Sequence, residues 1–177
     1  MLATDNGQLS SASRSCEAWW SSGSWCSPLV SLSATGKTSP SLPTSEKGPL
    51  EPLVSLDWLV WMHTVAVGEF GGSTGIRDRG LLESALARPL ASFGGRNVYD
   101  TPFKRATAVA ESLVLNHGYI DGNKRTAVYA MAAWLEREGY VIEAERGELR
   151  DLDLAIASHG ISLEQLAAWL EQRSKEI

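Results

Sequence analysis

From Ser55 onward the apolar positions of this chain recur at helical spacing, and before it they show no period. Leu56, Leu59, Val60, His63 and Val67 share one face of a helix that Ser55 can cap and that Gly68 with Gly71-Gly72 breaks. Asp78 precedes a short helix carrying Leu81, Leu82, Ala85 and Leu86, stopped before Pro89, and residues 90–100 read as a loop. Thr101 followed by Pro102 is an N-cap with proline in the first helical position. Phe103, Ala106, Ala110, Leu113 and Val114 then continue the period to Asn116. Thr126, Ala127, Ala130, Met131, Trp134 and Leu135 form a second core helix ended at Gly139. Tyr140-Val141-Ile142 is too short to build a sheet. Glu148–Ser158, with Leu152, Leu154, Ala155 and Ile156, gives another helix, and Ser162 with Gln165 forms a capping box for a last one carrying Leu166, Trp169 and Leu170. The expected fold is all-α, a compact bundle of about six helices around one core in residues 51–177.

Composition separates the first fifty residues from this domain. They are dense in Ser, Pro, Gly and Thr and read as a disordered extension, or as upstream sequence if translation begins further on. Trp19, Trp20 and Trp25 are unusual in such a segment and receive no functional reading. The extension balances Arg14, Lys37 and Lys47 against Asp5, Glu17 and Glu46, so the net charge of -5 belongs to the domain, which argues against direct nucleic-acid binding. Cys16 and Cys26 also lie in the extension. A cysteine-free domain, with no signal-peptide pattern and no long apolar run, is expected to be cytoplasmic and away from membranes. Gly36-Lys37-Thr38 resembles the end of a phosphate-binding loop, but Ser31 stands where the first glycine is needed and no strand precedes it.

The densest chemistry lies between the two core helices, in His117-Gly118-Tyr119-Ile120-Asp121-Gly122-Asn123-Lys124-Arg125. A helix N-terminus offers unpaired N–H groups and the positive end of a macrodipole, so an anion can sit against Gly122 with Lys124 and Arg125 beside it. His117 can take a proton from a hydroxyl and Asp121 offers hard oxygen ligands to Mg²⁺. Gly122 allows close backbone approach, Asn123 can donate an amide hydrogen to phosphate, Arg125 can grip it with a fixed fork of donors, and Lys124 adds a point charge. Singly, each residue has a plain structural reading as a helix end or a turn. A turn, however, does not require Asn, Lys and Arg in that order. Tyr119 reads as an anchor of the loop in the core, and His63 and His159 read as structural. Lys104-Arg105 reads as a solvated face or a contact for an acidic partner.

These residues resemble the Fic/Doc superfamily, whose signature is a His, an aromatic two positions on, an acidic residue, a small residue, Asn and Arg. Phe70-Gly71-Gly72, Gly75-Ile76-Arg77-Asp78 and Leu81-Leu82-Glu83-Ser84-Ala85 extend the likeness over about residues 51–175, although Arg77 and Asp78 receive no role from sequence. The likeness is closest to the death-on-curing (Doc) branch, because Lys124 stands where the AMP-transferring Fic branch typically has glycine. It implies the toxin of a type II toxin–antitoxin pair, a kinase using ATP and Mg²⁺ to phosphorylate a Ser or Thr hydroxyl of a translation factor, with elongation factor Tu as the expected target. AMP transfer and a non-catalytic protein-binding module are the alternatives. A lysine at position 124 fills space and adds charge, so a nucleotide could bind with its phosphates reversed and present the γ-phosphate. The resemblance implies His117 as base, Asp121 as metal ligand, and Gly122, Asn123, Lys124 and Arg125 as phosphate binders, whose loss is expected to weaken catalysis rather than the fold. Many members have Pro and Phe after the histidine; Gly118 here is expected to loosen the loop and Tyr119 to bring a hydroxyl in need of a partner. No inhibitory-helix string matches, so restraint is expected from a cognate antitoxin, of the Phd/YefM type or another small protein, that orders as it binds near the site.

Overall fold

The structure, a computed structural model, describes residues 52–177. The expected extension, with Trp19, Trp20, Trp25, Cys16, Cys26 and Gly36-Lys37-Thr38, lies outside the described residues. Within them the chain forms six α-helices: α1 (Leu56–Phe70), α2 (Arg79–Ala87), α3 (Pro102–Asn116), α4 (Asn123–Arg137), α5 (Arg146–Ala157) and α6 (Leu163–Gln172). A 3-10 turn (Arg88–Leu90) and a small hairpin, β1 (Ser92–Phe93) with β2 (Arg96–Asn97), lead from α2 into α3.

Local sequence explains most of these boundaries. Ser55 Oγ accepts from Trp58 N, Asp78 Oδ1 from Leu81 N and Thr101 Oγ1 from Lys104 N, each at 3.2 Å, so three helices start on the side chains that the sequence pointed to. The Ser162–Gln165 capping box is formed as read. α1 runs through Gly68 and ends at Gly71, where φ of 74° takes the chain out of the helix. Its buried face is turned from the expected one, with Trp58, Met62 and Ala66 joining Leu59, His63 and Val67, because two rows spaced by four residues share the core. α5 starts at Arg146, two residues before the expected start, since the Glu148 carboxylate reaches back to the Glu145 N–H at 2.9 Å.

The central pair is α3 against α4, and α3 also packs on α2, α5 and α6 while α4 packs on α1. Small residues on the facing sides, Ala106 and Ala110 on α3 and Ala127 and Ala130 on α4, are fully buried and let the axes approach closely. Trp58, Met62, Leu113, Met131, Trp134, Leu166 and Leu170 fill the rest of one continuous core.

Two expectations are corrected. Tyr140-Val141-Ile142 does form a strand, β3 (Tyr140–Ile142), because it finds an antiparallel partner in β4 (Ser174–Glu176) at the other end of the domain. That partner is polar and distant in sequence, so no local pattern announces it. Arg105 is not a solvated side chain: its guanidinium donates to both Glu138 oxygens at 2.6 and 2.9 Å and to Tyr99 O at 3.2 Å, pinning the start of α3 to the end of α4. Lys104 is the outward one, paired with Asp100 at 2.7 Å.

Candidate active site

α3 ends by turning sharply. His117 adopts a left-handed backbone with φ of 51°, uncommon for a residue with a side chain, and its imidazole is exposed. The last turn of α3 is held from outside by Arg77, whose Nη2 donates to Asn116 O at 2.8 Å. Gly118 follows, buried, with its carbonyl accepting from Arg77 N at 2.8 Å and Asp78 N at 3.0 Å. A Cβ on Gly118 would overlap Leu82 Cδ2 and lie 2.9 Å from Leu82 Cγ. Gly118 therefore tightens the loop against α2, contrary to the expected loosening.

The floor of the loop is made by Tyr119, Asn123 and His63. The Asn123 amide uses both ends on one neighbour, Oδ1 accepting from Tyr119 N and Nδ2 donating to Tyr119 O, each at 2.9 Å and buried. The Asn123 side chain thus closes the loop with one of its two amide hydrogens, and its backbone N–H lies in the first turn of α4. Tyr119 is anchored as expected, 1% exposed, with its ring stacked on the His63 imidazole at 3.8 Å and 3°. Its hydroxyl has no hydrogen-bond partner among the described residues, and burial pushes its ionisation far up. His63 is 2% exposed, structural as expected, and its Nε2 lies 2.9 Å from Asp121 O. Outside the loop, Gly75 O accepts from Ile120 N at 3.1 Å, so residues 75–78 form a second rail along it.

Above this floor stand the charged groups. Asp121 is exposed, with Oδ1 accepting from Gly122 N at 2.6 Å and Oδ2 from Ser73 N at 3.3 Å. These two backbone donors, Gly122 first, hold its carboxyl below the usual carboxylate range, and Arg125 and His63 add to the effect. Gly122 caps α4 in a left-handed conformation, φ 75°, and supplies no capping side chain, so the first N–H groups of α4 are left to the loop mouth. Arg125 Nη1 donates to Gly71 O at 3.0 Å and Ala66 O at 3.4 Å, which ties its guanidinium to the end of α1. Lys124 points outward. Across from it on α5, burial pushes the partly buried Asp153 carboxyl up to about 7, while the Lys124 charge pulls the other way.

The structure thus gathers His117, Asp121, Gly122, Lys124 and Arg125 around the start of α4 and places Asn123 beneath them. Sequence reasoning missed Gly72 and Ser73 as part of the site. A Cβ on Gly72 would lie 2.5 Å from Asp121 Oδ2 and 3.5 Å from Arg125 Nη2, so only glycine lets the carboxylate and the guanidinium sit against this turn. The Gly71-Gly72 pair is visible in the sequence, but as a helix terminator and as part of a family-like string without a role at the site. Among the described residues no three His, Cys, Asp or Glu side chains cluster to hold a metal. No helix among the described residues is long and apolar enough to cross a membrane.

Known proteins share this arrangement of sequence. The signature of the Fic/DOC family matches residues 53–135, from just before α1 to the last turn of α4. A Mycolicibacterium smegmatis protein named Toxin Doc is 39% identical over 103 residues, covering 57% of this chain and 79% of that protein. The protein named Protein kinase doc of Escherichia phage P1 is 27% identical over 119 residues, 67% of this chain and 93% of that protein. With six helices, the matched span and a relative this close over most of its length, the chain belongs to the Fic/DOC family.

Proposed function

We propose that the protein is a Doc-type toxin, a kinase that transfers the γ-phosphate of ATP to a Ser or Thr hydroxyl of a translation factor, with elongation factor Tu as the target. The observation that carries this reading is the pairing of an exposed base at the end of α3 with an uncapped helix start bearing Lys124, in a family whose relatives include one named as a kinase. Residues 51–177 are the working domain, acting in the cytoplasm.

In this reading the exposed His117 imidazole removes the proton from the target hydroxyl as its oxygen bonds to the γ-phosphorus. The bond from that phosphorus to the bridging oxygen breaks and ADP leaves with the electron pair. The first N–H groups of α4, Lys124 and the untethered nitrogens of Arg125 face the charge that spreads over the phosphate oxygens. Asp121 fits Mg²⁺ because the ion prefers one or two carboxylates, completing its shell with phosphate and water, and both Asp121 oxygens keep lone pairs beyond the N–H bonds they accept. When bound there, Mg²⁺ would offset charge on the β- and γ-phosphate oxygens. Asn123 serves by holding Tyr119. A cognate antitoxin of the Phd/YefM type, or another small protein, would restrain the enzyme by ordering near the site.

Induced expression in bacteria tests the reading. The wild-type chain should stop incorporation of labelled amino acids, and His117→Ala should not; arrest by the variant equal to that of wild type would remove the enzymatic reading and leave a binding module.

A further inference from the structure

The His117–Arg125 loop is held to α1 at two polar points, the Arg125 guanidinium on Ala66 O and the His63 imidazole on Asp121 O. His63 Nε2 lies 2.9 Å from Asp121 O, and since a carbonyl only accepts, Nε2 must carry a proton and donate. The ring also lies flat on Tyr119, so it touches the loop on both sides of Ile120.

The carbonyl that His63 engages shares a peptide plane with the Gly122 N–H. In a trans peptide the C=O and N–H point in opposite directions. With the carbonyl drawn down to α1, the N–H is turned up to the loop mouth, where it donates to Asp121 Oδ1 at 2.6 Å. Rotating that plane by half a turn would put an oxygen against the Asp121 carboxylate in place of the N–H that holds it. Gly122 makes such a rotation sterically cheap, because a residue without Cβ accepts both signs of φ. A side chain could not block it either: a Cβ on Gly122, with φ at 75°, would sit 3.1 Å from Val67 Cγ2 and 3.3 Å from His63 Nε2.

We infer that His63 is a positioning residue that locks the Asp121–Gly122 peptide in the one orientation in which its N–H holds the Asp121 carboxylate at the loop mouth. The role rests on the kinase reading for its consequence but not for its geometry. His63 is too buried to touch a substrate, and its stack on Tyr119 alone would be ordinary core packing. What distinguishes the two is the Nε2–H donor.

The test therefore separates ring from donor in the full-length chain. His63→Phe keeps a flat ring on Tyr119 and removes the donor; His63→Gln places an amide N–H near the position of Nε2 and removes the ring. Hydrogen exchange of the Gly122 and Ser73 amides, read by NMR without any nucleotide, should accelerate at least tenfold in His63→Phe and stay within about threefold of wild type in His63→Gln. With ATP, the Phe variant should lose tenfold or more in kcat, with a smaller change in KM, and the Gln variant should recover most of it. Wild-type exchange in the Phe variant, or equal loss in both variants, overturns the inference. If the Phe variant does not fold, exchange in the Gln variant decides: acceleration matching that of a Leu substitution would overturn it, and protection near wild type would support it. Were the wild-type chain to transfer no phosphate while the exchange pattern came out as expected, the kinase reading would fall and the peptide lock would stand.

Discussion

Asn123→Ala should unfold the domain far more easily than its place in a phosphate-binding string suggests. The substitution removes both bonds to Tyr119, leaving a buried N–H and a buried C=O without partners. Each such group costs about 1–3 kcal/mol, so the loss should be about 3 kcal/mol, a large share of the 5–15 kcal/mol that holds a typical domain together. For a domain of this size that is roughly a 10 °C fall in Tm. Thermal and urea unfolding of the full chain, followed by circular dichroism, measure it, with Lys124→Ala as the comparison. Lys124 is exposed, so its loss should shift stability by no more than about 0.5 kcal/mol while still impairing transfer. A second variant, Asn123→Asp, keeps an acceptor for Tyr119 N but sets a carboxylate oxygen against Tyr119 O. It should be destabilised at neutral pH and recover as acid protonates the introduced carboxyl, which then donates to that carbonyl. The reasoning is refuted if Asn123→Ala unfolds at the wild-type midpoint yet is inactive, since the side chain would then serve the substrate and not the loop.

Gly118→Ala should cost about 1–3 kcal/mol through its clash with Leu82, and combining it with Leu82→Ala should cost less than the sum of the two single changes; additive urea midpoints would refute the contact. His117→Gly and His117→Ala should both be inactive, but the glycine variant should be about 1 kcal/mol the more stable because it relieves the left-handed backbone, and equal stabilities would show no strain there. Asp153 carries a raised carboxyl, so its penalty is absent below pH 3.8, grows as pH rises and is complete above about 7. Asp153→Asn should thus stabilise the chain by about 1–3 kcal/mol at pH 8, once water penetration is allowed for, and by nothing at pH 3.5; a gain independent of pH would contradict this.

Helix number and the location of the candidate site are legible because their signals are local. Thr101-Pro102, Asp78 and Ser162 announce helix starts through side-chain oxygens that reach N–H groups three residues on, and the nine-residue motif lies between two periodic segments. What stayed hidden depends on contacts across the fold. Nothing in Tyr140-Val141-Ile142 names Ser174–Glu176 as its partner, and nothing in Arg105 names Glu138. The same distinction runs through the site. Asn123 looks like a phosphate donor by spacing, but only the folded loop brings Tyr119 to both ends of its amide. Gly118 looks flexible until Leu82 is set beside it, and His63 looks like an ordinary core histidine until its bond to Asp121 O is seen.

The central claim is that the start of α4 delivers the γ-phosphate and that His117 activates the acceptor. It is tested most directly by incubating the purified chain with elongation factor Tu and ATP labelled at either the α- or the γ-position, alongside His117→Ala. Label from the γ-position alone should reach the factor with wild type and none with the variant; α-label on the protein would contradict the claim and assign AMP transfer instead.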